Sequence, residues 1–208
     1  MRQGATLALV TLGLIGIAPA PAPAPAASWS LPDRSMGARI TPLLLLSRAD
    51  IRDDLQLGPE LAGDVDRAIA DLYKQANALK GQTGDVAVDR RRAVDEGQRL
   101  WLEAHLTEVQ RDRLAQLEIR WEGPAAMASR PSVAEALGLS DEQRATLARA
   151  VAGRNARRDK GDDLAAADRE LTREAMAVLS DGQKLRWERM LGHPFAFRPT
   201  APPHPPAR

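Results

Sequence analysis

The sequence contains no cysteine, so no disulfide staples it and no thiol is available for a lipid anchor. Aromatic residues make up only 3% and runs of β-branched residues are missing, which removes the side chains that favour a pleated sheet. Charge of one sign is not in excess either. Lys and Arg number 29 against 28 Asp and Glu, and loss of residues 1–27 would remove Arg2 and leave a formal charge of zero. A neutral chain argues against a nucleic-acid or membrane-surface binder. There is no HExxH, no glycine-rich phosphate loop and no nucleophile elbow, so neither catalytic residues nor a cofactor are expected. A metal site needs several convergent ligands. Met190 and His193 are separated by a helix end at Gly192 and Pro194, and His105 and His204 have no ligand neighbours, so none is expected.

What the sequence does have is Ala, Leu, Arg and Glu, which are good helix formers, and this composition predicts an all-α protein. Residues 1–27 read as a secretory signal peptide: Arg2 is the basic start, Ala5 to Ala18 the apolar core, and small residues follow. That core is about 14 residues, short of the ~18 to 20 that span a bilayer. A periplasmic or secreted location follows, without integral membrane association once the signal is cleaved. Residues 28–42 carry Pro32, Gly37 and Pro42 and read as a linker, and 196–208 reads as a disordered Pro-rich tail.

Between them one figure recurs: Leu106-Thr107-Glu108-Val109-Gln110, Leu139-Ser140-Asp141-Glu142-Gln143 and Leu179-Ser180-Asp181-Gly182-Gln183. A hydroxyl followed three positions later by glutamine is the capping-box spacing, so each figure predicts a helix start. Leu57-Gly58-Pro59-Glu60-Leu61 occupies a fourth such place, with the glutamine lost. Leu43 to Leu55 is expected to be one short helix. Behind it Leu61, Val65, Ile69, Leu72, Ala76 and Leu79 form a stripe on a helix of about 60–80. Ala87, Val94 and Trp101 mark the inner face of the next, and Leu114, Leu117 and Trp121 that of a third, which Glu122-Gly123-Pro124 should end. The order then repeats, Ser47 to Leu57 matching Ser129 to Leu139 and Leu106 matching Leu179. Helices follow at about 131–137, 141–158, 163–178 and 181–191. The expected architecture is two tandem repeats of helical hairpins, 43–124 and 125–195, forming an elongated, curved bundle.

The three L-[ST]-x-x-Q figures, each followed by Arg111, Arg144 or Lys184 and then an apolar helix, resemble the LTxxQ-motif periplasmic proteins of the Spy/CpxP-like group. The duplicated arrangement also resembles exported helical proteins of planctomycete type. The similarity runs from about Leu43 to Phe195 and includes Val133 to Gln143 and Trp187 to Phe195. It implies a thin, cradle-shaped antiparallel homodimer that chaperones unfolded periplasmic clients without ATP, or senses envelope stress through one dedicated partner. Here the chain is duplicated and one figure is degenerate, so its halves could also pair within one chain.

Two sets of side chains are candidates for client binding. Arg90, Arg91 and Arg92 in one half, and Arg154, Arg157 and Arg158 in the other, could steer clients by charge beside apolar surface. Solvated turns paired by Asp85, Asp89, Asp95, Asp159 and Asp162 are the simpler account. Trp101, Trp121 and Trp187 lie on apolar faces and fit a core role. Trp187, beside Met190 and Phe195, is the one to expect as an exposed contact if any is.

Overall fold

The computed structural model describes residues 40–199, and these are helical with no strand among them. The expected signal peptide, most of the expected linker and residues 200–208 lie outside the described residues. Helix α1 (Pro42–Leu45) starts inside the expected linker: Pro42 occupies its first turn, and the Thr41 hydroxyl accepts the Leu44 N–H at 3.4 Å. The expected helix through Leu55 is broken after Leu45, and α2 (Ala49–Asp54) begins a new axis. Neighbours such as Leu45 and Leu46 cannot both face one side of a straight helix. The break lets Leu43, Leu45, Leu46, Ile51 and Leu55 all be buried.

Helix α2 ends in a Schellman turn, with the Gln56 N–H bonded to Asp53 O at 3.1 Å and the Leu57 N–H to Arg52 O at 3.0 Å. The same pair of bonds closes α7 (Pro131–Leu137), from Gly138 to Glu135 at 2.8 Å and from Leu139 to Ala134 at 3.0 Å. Gly138 takes the required left-handed conformation without a Cβ; Gln56 adopts it at φ 52°.

The long helices are α3 (Pro59–Ala78), α4 (Asp85–His105) and α5 (Glu108–Glu122) in the first half, and α8 (Asp141–Asp159), α9 (Leu164–Val178) and α10 (Asp181–Leu191) in the second. Glu122-Gly123-Pro124 ends α5 as expected, with Gly123 leaving the helical conformation at φ 60° and ψ −148°. A 3-10 turn at Gly123–Ala125 leads directly into α6 (Ala126–Ser129), because Pro124 suits a first-turn position and Ala125, Ala126 and Met127 are buried. Ser129 and Arg130 both donate to the buried Glu122 carboxylate, at 2.9 and 2.6 Å, and hold the junction.

Two apolar cores result. Leu45, Leu46, Ile51, Ile69 and Leu117 belong to the first, and Met127, Leu137, Leu147 and Trp187 to the second. Helix α5 joins them, since Leu117 and Trp121 enter the first core while Ile119 packs on the second. Arg113 and Arg120 of α5 also donate to the His193 carbonyl just beyond α10, each at 3.1 Å, where cations complement the helix dipole.

The start of the expected disordered tail is ordered. Phe197 meets Trp121 edge-on at 4.9 Å, and the Arg198 N–H donates to Asp50 at 2.7 Å. Burying aromatic area against the first core offsets the loss of chain entropy.

Candidate functional site

All three capping boxes form. The N-cap hydroxyls of Thr107, Ser140 and Ser180 each accept the N–H of Gln110, Gln143 or Gln183 at 3.3 Å, and the glutamine Oε1 accepts the N-cap N–H at 2.9–3.0 Å. Leu106, Leu139 and Leu179 are buried in front of them. The glutamines also tie distant segments. Gln110 Nε2 donates to Leu55 O at 3.0 Å, Gln143 to Val178 O at 2.9 Å and Gln183 to Gly138 O at 3.2 Å. These nine residues build the frame.

The basic candidates other than Arg154 lie on the surfaces of α4 and α8. Arg90 and Arg91 donate to the Gln82 side chain and carbonyl at 2.9 and 3.2 Å, and Arg92 sits 3.5 Å from Asp89. Arg157 and Arg158 pair with Asp162 and Asp159 at 3.6 and 3.0 Å. Two candidates are corrected. Arg154 is buried and bonded to Asp168 at 2.8 Å, locking α8 to α9, so it is not a contact surface. Trp187 is 5% exposed in the second core, because the inward face of α10 that carries Gln183 carries it too.

The two hairpins differ. Helices α8 and α9 pack closely against each other, whereas α3 and α4 meet sparsely. Along α3 the apolar stripe leaves the core: Val65 and Ile69 are buried, Leu72 is half-buried and Ala76 is exposed. Between α3 and α4 lies a groove of about 400 Å³ lined by Leu72, Val94, Gln98 and Trp101, with Asp64, Asp71 and His105 at its rim. The His105 ring stacks on Trp101 at 4.2 Å, and its Nδ1 lies 2.8 Å from the Trp101 carbonyl.

Gln98 was not among the sequence candidates. It is 8% exposed, and its Oε1 is buried without a hydrogen-bond partner. Leaving such an acceptor unmatched costs about 1–3 kcal/mol. A signal existed: position 98 falls between Val94 and Trp101 on the inner face of α4, where a polar residue is out of pattern. It also lines a second recess, beside Ile40, Pro42, Asp95 and Leu102. The arrangement offers an apolar wall, one buried amide and a polar rim, which suits binding of a polymer segment and contains no nucleophile paired with a base. No helix among the described residues is long and apolar enough to cross a membrane. No family model, curated protein or solved structure matches this chain.

Proposed function

We propose that this is an exported, non-enzymatic helical protein that binds segments of other polypeptides, acting in the periplasm as an ATP-independent holdase of the Spy-like kind. The observation that carries the proposal is the open α3–α4 hairpin, whose groove displays Leu72, Val94 and Trp101 while its counterpart α8–α9 is closed. Apolar surface held in a groove captures unfolded segments, and the charged rim keeps the free protein soluble. Val86 and Leu100 are also exposed on α4, outside the groove lining. The signal-like residues 1–27 and the three L-[ST]-x-x-Q figures support export and the Spy/CpxP-like comparison.

The test is light scattering from two unrelated denatured proteins, with the full-length mature chain added at near-stoichiometric ratio and no nucleotide. Slower aggregation of both is expected. No effect on either removes the holdase reading, and protection of a single client favours instead an envelope-stress protein with one dedicated partner.

A further inference from the structure

We propose that the strap Phe195–Arg198 is an exchangeable self-ligand. The site it fills, made by Arg48, Asp50, Asp53 and Trp121, takes a segment of the same chemistry from another polypeptide: two aromatic residues separated by one position, then a basic residue. This site shares no lining residue with the α3–α4 groove and goes beyond the holdase reading.

A buried ion pair forms its floor. The Arg48 and Asp50 side chains are each 4% exposed and meet at 2.6 Å. Asp50 also accepts the Arg198 N–H, and Arg48 also donates to the Arg198 carbonyl, both at 2.7 Å. Both main-chain groups of one residue are thus taken up together, as at the hydrogen-bonded positions of an antiparallel ladder. Such charge-assisted bonds hold the main chain of the seated segment whatever side chain that residue carries.

The side chains are read separately. Phe197 meets Trp121 edge-on at 4.9 Å, while the Arg48 guanidinium lies 5.5 Å from the Phe197 ring and 5.4 Å from that of Trp121. An aromatic residue gains from both neighbours, and an aliphatic one does not. Phe195 packs edge-on against Phe197 at 4.9 Å and rests on the first core. Arg198 reaches Asp53 at 3.1 Å, with both side chains more than three-fifths exposed. That surface pair favours a positive charge and adds little affinity.

The hold is light enough for exchange. The His193 carbonyl is fixed by Arg113 and Arg120, but among residues 194–199 only Phe195 and Phe197 are even half-buried, and none is helical. A segment with so few buried contacts opens without unfolding the rest. Opening bares the Trp121 face and the two side chains that held the Arg198 main chain, and an incoming segment of the same pattern restores each contact. The tethered strap competes at an effective concentration on the order of millimolar, so it keeps the site closed until a matching segment is abundant.

The experiment is fluorescence anisotropy with the full-length mature protein and a labelled peptide Pro-Phe-Ala-Phe-Arg-Pro, the sequence of residues 194–199. The double variant Phe195→Ala with Phe197→Ala vacates the site and should bind the peptide about tenfold tighter than the native chain, or better, because the tethered competitor is gone. A peptide with leucine in place of both phenylalanines should lose most of that affinity. Adding Asp53→Lys to the double variant should reverse the preference from arginine to glutamate in the peptide. In the native chain the Arg198 amide should exchange its hydrogen faster than that of Leu117 in the first core. Equal peptide binding by native protein and double variant, binding by neither, or an unchanged charge preference with Asp53→Lys each overturns the inference. So does exchange at Arg198 no faster than at Leu117, a measurement that stands even where the double variant fails to fold. Loss of this inference leaves the aggregation test of the holdase reading untouched, and absence of client protection leaves peptide binding at the strap site intact.

Discussion

Gln143 and Gln183 exchange two amide hydrogen bonds, Nε2 to Oε1 at 2.9 Å in one direction and 3.0 Å in the other. Each also caps its own helix and donates to a carbonyl across the core, Val178 for Gln143 and Gly138 for Gln183. The N-termini of α8 and α10 are thereby clasped with every amide hydrogen and lone pair used. Gln110 has no such counterpart, because the Leu57-Gly58-Pro59-Glu60-Leu61 stretch ends in Leu61 rather than in a glutamine. The glutamine of the figure is thus a tertiary contact as well as a local cap.

Replacing either member of the clasp leaves the other's amide partly unmatched. Gln143→Ala and Gln183→Ala should each cost about 2 kcal/mol of stability, and the double variant less than their sum by about 1 kcal/mol. Urea denaturation of the four proteins measures this, and strict additivity would mean that the two amides are not coupled.

Ser140→Ala removes the hydroxyl that accepts the Gln143 N–H at 3.3 Å. The expected loss is about 1 kcal/mol, seen as a lower melting temperature with unchanged client binding, since the groove lies in the other half. An unaltered melting temperature would refute the cap.

Asp50 should make the protein acid-sensitive. Burial pushes its carboxyl up, but the bonds from Arg48 and the N–H groups of Arg198 and Ile51 outweigh this, so it lies below its ordinary value of 3.8. The unfolded state therefore takes up the proton first as pH falls. The stabilisation is complete above the unfolded value and is lost as pH drops through the folded one. Asp50→Asn breaks a buried ion pair made at 2.6 Å and should cost about 3 kcal/mol near neutral pH. Its deficit relative to the native protein should shrink below about pH 4, and a constant deficit in thermal melts from neutral to acid would contradict the assignment.

Gly192 and Gly138 both have φ 65° but meet different surroundings. A Cβ on Gly192 would overlap the Gln116 side chain, and its ψ of −153° belongs to a region glycine alone visits readily. At Gly138 the nearest atom is 4.0 Å away and the conformation is ordinary left-handed. Gly192→Ala should cost about 2–3 kcal/mol and Gly138→Ala about 1 kcal/mol. Calorimetry giving equal losses would show that the Gln116 contact is not tight.

Most of the frame is legible in sequence because its signals are local. Hydroxyl and glutamine three residues apart, Pro at first-turn positions and Gly138 after Leu137 act within one turn of backbone, so the starts at Glu108, Asp141 and Asp181 follow from the residues alone. Apolar spacing likewise assigned Leu114, Leu117 and Trp121 to one face. The same rules missed the break after Leu45, since Leu43 to Leu46 is helix-compatible locally and breaks only because all of it must reach one core.

What the sequence determined by itself is therefore the all-helical composition, the capped starts and the spacing of the inner faces, each set by contacts between residues a turn apart. Tertiary structure alone decided that α8 and α9 close while α3 and α4 stay open, that Arg154 is interior, that Phe197 folds back on Trp121, and that Gln98 is buried beside a groove. Those outcomes depend on the distance and rotation between helices remote in sequence. These are fixed by the sum of many weak packing contacts rather than by any short run of residues.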